Sequence, residues 1–309
     1  MTLGFALGTI PFGATVPADE TFKLLDRFVD AGGRMLDTAN NYPFWFDGCT
    51  GDESETAIGA WLAARGGRDR VVIGTKVGAR PTVAGDRTMG SAEGLAAPTI
   101  RAAVEGSLRR LGTDRIDVYW AHIEDRSVPV EETVDAFGEL VKAGKVVELG
   151  ASNLPAWRLE RARATARARG VAFYTHLQLR HTIVRPRPGA RFAESAHVIA
   201  TDEHFDYLRA EGDVTLWAYN SLMAGAYSRP DRPIPDTYQH SGTERRLASL
   251  FAVVRELRAT VNQVVLARLM ADGVVPIVGV STMAQLDEAI GAADVRLDAE
   301  AIARLDTPA

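Results

Sequence analysis

The run Val71-Val72-Ile73-Gly74-Thr75-Lys76 is apolar and β-branched for most of its length and ends on a lysine. A short strand with so few polar residues is typical of a parallel sheet that is covered on both faces. Seven other runs share this character, and the eight candidate strands span residues 4–9, 34–38, 71–76, 116–121, 146–151, 172–178, 214–219 and 274–278. This repeated pattern is the main indication of the fold.

Helical patterns lie between these strands. Apolar residues return every three or four positions at Ile100, Val104, Leu108 and Leu111, and again at Val130, Val134, Phe137 and Val141. Pro98 suits the first turn of a helix, whereas Gly112 and Gly144 suit helix ends. Eight βα repeats without a break in composition predict an α/β fold, a closed (β/α)8 TIM barrel in a single domain over residues 1–309, rather than an open doubly wound sheet.

Four connecting segments are longer than a barrel needs. They span residues 42–51, 78–97, 180–201 and 223–243, and each follows a candidate strand. Ordinary connections between strands and helices take only a few residues. In a (β/α)8 barrel, every segment after a strand lies at the carboxyl-terminal rim, where such folds hold their active sites. We therefore expect long loops at this rim to enclose a site.

Composition narrows the class of protein. The net charge of -5 gives no support for a nucleic-acid or anionic-membrane surface, since both need clustered positive charge. The single cysteine, Cys49, excludes an internal disulfide and a multi-cysteine zinc site. The first residues carry no basic segment, and no later run is long and apolar enough to span a bilayer. These features predict a soluble cytoplasmic protein with no membrane or nucleic-acid partner.

Ionisable residues stand at the ends of three successive candidate strands. Asp37 lies at the end of the second strand, Lys76 closes the third, and His122 follows the fourth. Tyr42 lies in the loop that follows Asp37. A lysine that closes an apolar strand is costly to bury unless a carboxylate pairs with it. If these strands are neighbours in the barrel, all four side chains converge at one rim.

This set of residues suits proton delivery to a carbonyl oxygen while hydride reaches the carbonyl carbon. A phenol is a poor acid near neutral pH, and a nearby cation favours its phenolate. We therefore expect Lys76, held by Asp37, to lower the pKa of Tyr42, with His122 orienting the carbonyl or sharing the proton. Each residue taken alone has a structural alternative: a cap for Asp37, an ion pair for Lys76, a buried hydrogen bond for His122 and packing for Tyr42. Their joint position favours catalysis.

Six motifs, in this order and spacing, resemble the signatures of the aldo-keto reductase family. They are Leu7-Gly8-Thr9, Asp37-Thr38-Ala39-Asn40-Asn41-Tyr42, Gly51-Asp52-Glu53-Ser54-Glu55-Thr56-Ala57-Ile58-Gly59, Gly74-Thr75-Lys76-Val77, Tyr119-Trp120-Ala121-His122 and Gly150-Ala151-Ser152-Asn153. The resemblance covers almost the whole chain and implies NAD(P)H-dependent reduction of an aldehyde or ketone to an alcohol. It implies that Tyr42 is the general acid, that Lys76 and Asp37 tune it, and that His122 positions the substrate.

The resemblance also implies a set of cofactor contacts. Ser152, Asn153 and Gln178 would hydrogen-bond the nicotinamide carboxamide, and Tyr219 would stack on the nicotinamide ring. The other implied contacts are Thr9, then Asn220, Ser221 and Leu222 near the pyrophosphate, and Gly279, Ser281, Thr282 and Gln285 near the adenosine half. Structural alternatives stay open, because Ser152-Asn153 and Ser281-Thr282 could cap helices, Gln178 could satisfy backbone groups and Tyr219 could pack at the rim.

The segment after the eighth strand departs from the family pattern. Residues 279–289 contain no lysine or arginine, although Asp287 and Glu288 are present. Family members that prefer NADPH generally place a basic residue there to pair with the 2′-phosphate. We still expect NADP(H) as the favoured cofactor, with NAD(H) as the alternative and Arg229 or another loop arginine as a substitute partner. Asn220 also stands where many relatives carry serine or another small residue, which should alter cofactor contacts without abolishing them.

The substrate pocket is predicted to have aromatic walls. Phe44 and Trp45 follow Tyr42, and Trp120 shares the strand face of His122 because it lies two residues earlier. Such walls favour apolar or sugar-like carbonyl compounds, although Trp120 could equally belong to a layer of the barrel core. We predict a small-molecule carbonyl substrate, while its identity, the physiological direction and the oligomeric state stay open.

Two other functions fit parts of the sequence. A regulatory nicotinamide-binding subunit of the same fold, without catalysis, would be expected to lack part of the tetrad Asp37, Tyr42, Lys76 and His122, which is complete here. A metal-dependent barrel hydrolase or isomerase would need converging histidine and carboxylate ligands. His176 and His181 lie near the end of the sixth strand, but the first strand has no His-x-His pair, so no metal site is predicted.

Overall fold

Eight parallel strands form a closed barrel and follow one another around it in sequence order. The structure is a computed structural model that describes residues 2–190, 192 and 196–306. The strands are β1 (Ala6–Gly8), β2 (Met35–Asp37), β3 (Val72–Val77), β4 (Ile116–Ala121), β5 (Val146–Ser152), β6 (Tyr174–Arg180), β7 (Thr215–Tyr219) and β8 (Val275–Gly279). All eight predicted strands are confirmed, and so is the predicted (β/α)8 barrel.

Helices surround this barrel. They are α1 (Ala18–Asp30), α2 (Glu53–Arg65), α3 (Ala97–Leu111), α4 (Val130–Lys142), α5 (Ala156–Arg169), α6 (Asp202–Glu211), α7 (Ser241–Leu257), α8 (Val261–Ala271), α9 (Met283–Gly291) and α10 (Ala299–Asp306). One helix follows each of the first six strands, whereas two helices, α7 and α8, follow β7. The terminal helix α10 packs against α7 and extends the outer layer beyond the eight repeats.

The helix ends follow the local signals in the sequence. Pro98 lies in the first turn of α3, where a missing N–H costs nothing because that group has no partner within the helix. Gly112 ends the same helix with a φ of 63°, a left-handed conformation that glycine adopts without a steric penalty. Gly144, with a φ of 73°, stands just beyond α4 in the same way. Both predicted helix ends are therefore confirmed.

The barrel interior is filled by aromatic rings. Trp120 and Trp217 pack edge to face with ring centroids 5.4 Å apart, in a cluster with Ala6 and Val118. A Cβ atom added to Gly150 would lie 2.2 Å from the Trp120 ring, so this strand position needs a glycine. Trp120 is 0% exposed. The prediction that Trp120 forms a substrate wall is therefore wrong, because its ring fills the space between strands below the rim.

Strand pairing brings the predicted site residues to the same end of the barrel. Asp37 pairs with Gly74 across β2 and β3, and Lys76 pairs with Trp120 across β3 and β4. The long predicted loops follow β2, β3, β6 and β7 and therefore share the carboxyl-terminal rim. Within the part of the chain that the structure describes, no helix combines the length and the apolar character needed to cross a bilayer.

Candidate active site

Lys76 lies at the centre of the site. It is the penultimate residue of β3, and its side chain is fully buried. Its Nζ atom lies 2.7 Å from Asp37 Oδ2, 2.7 Å from the Thr38 carbonyl oxygen and 3.1 Å from the Tyr42 hydroxyl oxygen. An ammonium group has three N–H donors, so these three acceptors use all of them. The position of the ammonium is therefore fixed by its surroundings.

Asp37 uses both of its carboxylate oxygens. Oδ2 accepts from Lys76, and Oδ1 accepts from the Gln178 side-chain amide at 2.9 Å. The backbone of Asp37 is held from behind by the Thr9 hydroxyl, which donates to the Asp37 carbonyl oxygen at 2.9 Å. A buried carboxylate is costly unless it is paired and hydrogen-bonded, and Asp37 meets both conditions.

Thr9 does not take the role expected of it. Its side chain is 0% exposed, and its hydroxyl group is occupied by the Asp37 carbonyl oxygen and by the Ser54 hydroxyl 2.8 Å away. The expected cofactor contact is therefore wrong for Thr9, because no surface of this side chain faces the rim. Thr9 and Ser54 instead support the strand end that carries Asp37.

Tyr42 lies above Lys76 in the loop after β2. The Trp45 ring packs edge to face on the Tyr42 ring, with centroids 5.8 Å apart. The His122 ring packs on the Tyr42 ring in the same way, with centroids 5.6 Å apart. Because the phenol oxygen accepts a hydrogen bond from Lys76, the O–H hydrogen of Tyr42 is left to donate to another acceptor. The structure thus brings Asp37, Tyr42, Lys76 and His122 together, in the arrangement that the strand ends predicted.

The pKa of Tyr42 moves in the direction opposite to the one expected. Burial raises the pKa of Tyr42 well above its ordinary value, and the charge of Asp37 raises it further. Burial lowers the pKa of Lys76, against the opposing effect of Asp37. The prediction of a lowered pKa for Tyr42 is therefore wrong in its net direction, because burial and the charge of Asp37 dominate.

His122 is held as a neutral ring beside Tyr42. Burial lowers the pKa of His122 well below its ordinary value, and the nearby Lys76 and His197 lower it further. Its carbonyl oxygen accepts from the Asn153 side-chain amide at 3.1 Å, which fixes the strand end. Among the described residues, no hydrogen-bond partner faces its buried Nδ1 atom. A neutral imidazole can still donate one ring N–H to a carbonyl oxygen.

The four residues expected at the nicotinamide lie together beside the tetrad. Asn153 Oδ1 accepts from the Tyr219 hydroxyl at 2.7 Å and from the Val198 backbone N–H at 3.1 Å. The Ser152 hydroxyl donates to the carbonyl oxygen of Gln178 at 3.2 Å. Pro155 occupies the N-cap position of α5, so Ser152 and Asn153 do not cap that helix.

The turn after β7 carries backbone strain. Asn220, Met223 and Ala224 have φ values of 57°, 50° and 54°, in the left-handed region that residues other than glycine rarely adopt. Such conformations persist where the surrounding structure enforces them, often at functional sites. Ser221 is buried and donates to the Ala218 carbonyl oxygen, whereas Leu222 is only partly buried. Sequence reasoning missed Met223 and Ala224, since neither residue type signals a left-handed turn.

The residues expected near the adenosine half are all exposed at the start of α9. This set comprises Gly279, Ser281, Thr282 and Gln285. The Thr282 hydroxyl accepts from the Gln285 backbone N–H at 3.3 Å, and the Gln285 side-chain oxygen accepts from the Ser281 N–H at 2.8 Å. The capping alternative is therefore confirmed for Thr282. An exposed cap does not exclude a ligand contact, so the cofactor role of this set stays a prediction.

A cleft of about 540 Å³ opens at the rim beside Trp45. Phe46, Asp47 and Arg87 contribute to its lining. Phe44 is buried and packs edge to face on Trp45, with ring centroids 5.1 Å apart. Phe44 therefore supports Trp45 from behind and is not itself among the residues that line the cleft. Within the described ranges, no three histidine, cysteine or carboxylate side chains are grouped to hold a metal ion.

Comparisons with known proteins show the family to which the chain belongs. A family model described as the Aldo/keto reductase family matches residues 5–308. A norsolorinic acid reductase of Emericella nidulans is 30% identical and is matched over 97% of this chain and 76% of its own length. A probable aryl-alcohol dehydrogenase of Saccharomyces cerevisiae is also 30% identical, over 94% of this chain and 87% of its own length.

One solved structure shares the fold over almost the entire chain. It is a thermostable aldo-keto reductase in complex with the inhibitor epalrestat, with a TM-score of 0.75 and 24% identity. The match covers 98% of this chain and 94% of that chain. The barrel and the family match lead to the same conclusion. The chain belongs to the aldo/keto reductase family of NAD(P)H-dependent oxidoreductases.

Proposed function

We propose that the chain reduces an aldehyde or ketone to its alcohol, with Tyr42 as the proton donor. The observation that carries this proposal is the buried contact between Lys76 Nζ and the Tyr42 hydroxyl oxygen at 3.1 Å, with Asp37 behind the lysine at 2.7 Å. This contact leaves the phenol proton directed to another acceptor, next to the ring of His122. A carbonyl oxygen placed between Tyr42 and His122 would meet two hydrogen-bond donors.

The residues around the tetrad fit a nicotinamide cofactor. The Gln178 side-chain amide can match a carboxamide, and Tyr219 offers an aromatic face. The Asn153 amide already bonds to His122, Ser152, Val198 and Tyr219, so it would exchange one of these bonds to bind the carboxamide. The strained turn from Asn220 to Ala224 follows β7, and loops after the seventh and eighth strands often bind phosphate groups in this fold. When bound, the cofactor supplies hydride to the carbonyl carbon.

Proton transfer follows from the arrangement of the side chains. As hydride reaches the carbon, the carbonyl π electrons move to oxygen, and this oxygen takes the proton of Tyr42. The raised pKa of Tyr42 keeps the phenol protonated at neutral pH, and an alkoxide is a stronger base than a phenolate, so the transfer is downhill. Lys76 then stabilises the phenolate at the oxygen it already contacts, and a proton from solvent restores the phenol.

NADP(H) is the cofactor that we favour, with NAD(H) as the alternative. The Arg27 side chain reaches from α1 to Asp287 of α9 at 2.8 Å and brings a positive charge to a segment that has no basic residue of its own. The other candidate, Arg229, pairs with Asp231 at 2.6 Å. A 2′-phosphate near α9 would therefore compete with Asp287 for Arg27.

Aromatic aldehydes and ketones are the substrates that we propose. Trp45 and Phe46 line the cleft at the rim, and flat aromatic compounds pack well on such rings. None of the four tetrad residues lines this cleft, but the Trp45 ring lies between it and Tyr42, with the two ring centroids 5.8 Å apart. The relatives described above are named for a reductase of norsolorinic acid and for an aryl-alcohol dehydrogenase. Their names support an aromatic substrate here because the rim of this chain offers a matching surface.

The test is a turnover assay with NADPH and NADH on matched aromatic and aliphatic aldehydes and ketones, with wild type and Tyr42→Phe. We expect NADPH-dependent reduction of aromatic compounds by wild type. We expect Tyr42→Phe to bind the cofactor normally, measured by protein fluorescence, while kcat falls by about two to four orders of magnitude. Binding by wild type without turnover of any compound would indicate a regulatory subunit instead. Retained turnover in Tyr42→Phe would remove this residue from the role of proton donor.

A further inference from the structure

Gln178 stands between two groups of residues that have different tasks. It lies near the end of β6 and is only 2% exposed. Its Nε2 atom donates to Asp37 Oδ1 at 2.9 Å, on the side of the proton donor. On the other side, its Oε1 atom lies 3.4 Å from the Ser152 hydroxyl, which shares its single hydrogen between this atom and the Gln178 carbonyl oxygen at 3.2 Å. The side chain therefore joins the two halves of the site.

The hydrogen-bonding capacity of this amide is only partly used by these contacts. A glutamine side chain has two N–H donors and two acceptor lone pairs. Asp37 takes one donor and Ser152 fills one lone pair. Gln178 can therefore bind a carboxamide with its remaining groups while it keeps its hydrogen bond to Asp37.

We propose that Gln178 is a positioning residue for the proton donor, which acts through Asp37 and Lys76 on Tyr42, in addition to any contact with the nicotinamide. The connected path consists of the 2.9 Å bond from Gln178 to Asp37, the 2.7 Å ion pair to Lys76 and the 3.1 Å contact to Tyr42. This inference rests on the proposed reduction, because it concerns the acid of that reaction.

The buried carboxylate of Asp37 is held by two donors, one neutral and one charged. Without Gln178, Oδ1 loses its partner, and the carboxylate can turn so that both of its oxygens compete for the Lys76 ammonium. This movement draws Lys76 away from the Tyr42 hydroxyl oxygen that it contacts at 3.1 Å. The effect should therefore appear in proton transfer and not only in cofactor affinity.

The first test compares Gln178→Met with Ser152→Ala. Methionine keeps the length of the side chain and removes the amide, whereas Ser152→Ala removes a residue of the same nicotinamide cluster that makes no bond to Asp37. At saturating cofactor, we expect Gln178→Met to lower kcat roughly tenfold or more, because the proton donor is misplaced even when the cofactor is bound. We expect Ser152→Ala to act mainly on the cofactor Kd, with a smaller loss of kcat than Gln178→Met.

The split between kcat and cofactor affinity distinguishes the two roles. A residue that only binds the nicotinamide raises the cofactor Kd, whereas a residue that positions the proton donor lowers kcat even at saturating cofactor. If Gln178→Met only raises the cofactor Kd, with kcat unchanged at saturation, the proposal is overturned and Gln178 is a cofactor ligand.

A second test uses the protein without cofactor or substrate. The free energy of unfolding is measured for wild type, Gln178→Met, Asp37→Ala and the double variant. We expect the two losses to be non-additive, because both changes remove the same hydrogen bond. Additive losses would contradict the coupling. If wild type reduces no carbonyl compound, the proposed function fails, but this cycle still decides whether Gln178 and Asp37 act together.

Discussion

Two regions of the rim differ in how firmly they are built. Around β2 and β3, the side chains of Asp37 and Lys76 are buried, and each polar atom discussed above has a partner within the protein. At the start of α9, Ser281, Thr282 and Gln285 are exposed and bond mainly to one another. The groups proposed for proton transfer are therefore positioned by folding itself, whereas the groups proposed for the adenosine half are held by local caps that a ligand could replace.

Asp37→Ala is expected to cause the largest loss in the free energy of unfolding. The substitution leaves the buried ammonium of Lys76 without its carboxylate, and breaking a buried ion pair costs about 3–5 kcal/mol. Glu20→Ala is the control, since it removes the nearer carboxylate partner of Lys23 in a solvent-exposed pair, where screening by water makes the expected loss much smaller. Denaturant unfolding measures both variants. Equal losses would mean that the buried pair is no more important to stability than a surface pair.

A pair of glycines tests the packing of the two regions. A Cβ atom on Gly150 would lie 2.2 Å from the Trp120 ring, whereas one on Gly279 would meet nothing within 4 Å. We expect Gly150→Ala to lower the free energy of unfolding by about 1–3 kcal/mol through overpacking. Gly279→Ala, at an exposed position with an ordinary φ, should leave stability nearly unchanged. Thermal unfolding measures the stability of both variants. A Gly150→Ala variant as stable as wild type would show that the barrel interior can rearrange.

His122 should make stability depend on pH. Its pKa is depressed in the folded protein, so the unfolded chain binds a proton first as the pH falls. The folded protein therefore loses stability below the ordinary pKa of histidine, by at most about 2 kcal/mol between pH 7 and pH 5. His122→Gln removes this contribution, whereas Gln285→Ala, in the exposed region, retains it. A wild-type dependence on pH equal to that of His122→Gln would contradict a depressed pKa.

The smallest effect is expected for Asp287→Asn. This change removes the charge that faces Arg27 at 2.8 Å and leaves the guanidinium free for a 2′-phosphate. Both side chains are well exposed, so we expect the ratio of NADPH to NADH affinity to rise only about two- to fivefold. Fluorescence titration with both nucleotides measures the ratio. An unchanged ratio would place the 2′-phosphate away from Arg27.

The sequence predicted the barrel and the tetrad for related physical reasons. Short apolar strands must be covered on both faces, and a charged residue at the end of such a strand needs a partner nearby. Asp37, Lys76 and His122 satisfy both conditions at neighbouring strands, so position along the chain was enough to bring them together. The capping alternative for Thr282 could also be stated in advance, because it depends only on local spacing.

Properties that depend on depth or on backbone conformation could not be predicted in this way. The face of β4 that carries Trp120 was correctly assigned, but the strand pattern does not say how far below the rim its ring lies. The pKa of Tyr42 depends on burial, which the sequence does not display, and on the balance between Lys76 and Asp37. Met223 and Ala224 adopt left-handed conformations that only the folded turn after β7 imposes.

The two tryptophans inside the barrel leave little free space in its interior. Trp120 and Trp217 pack edge to face, and Trp120 stands opposite Lys76 in the strand pairing. Under the proposed function, a bulkier compound could therefore be accommodated only sideways, among the loops that follow β2 and β3. Changes in those loops would alter which compounds enter, while the packed interior and the position of the ammonium stay the same.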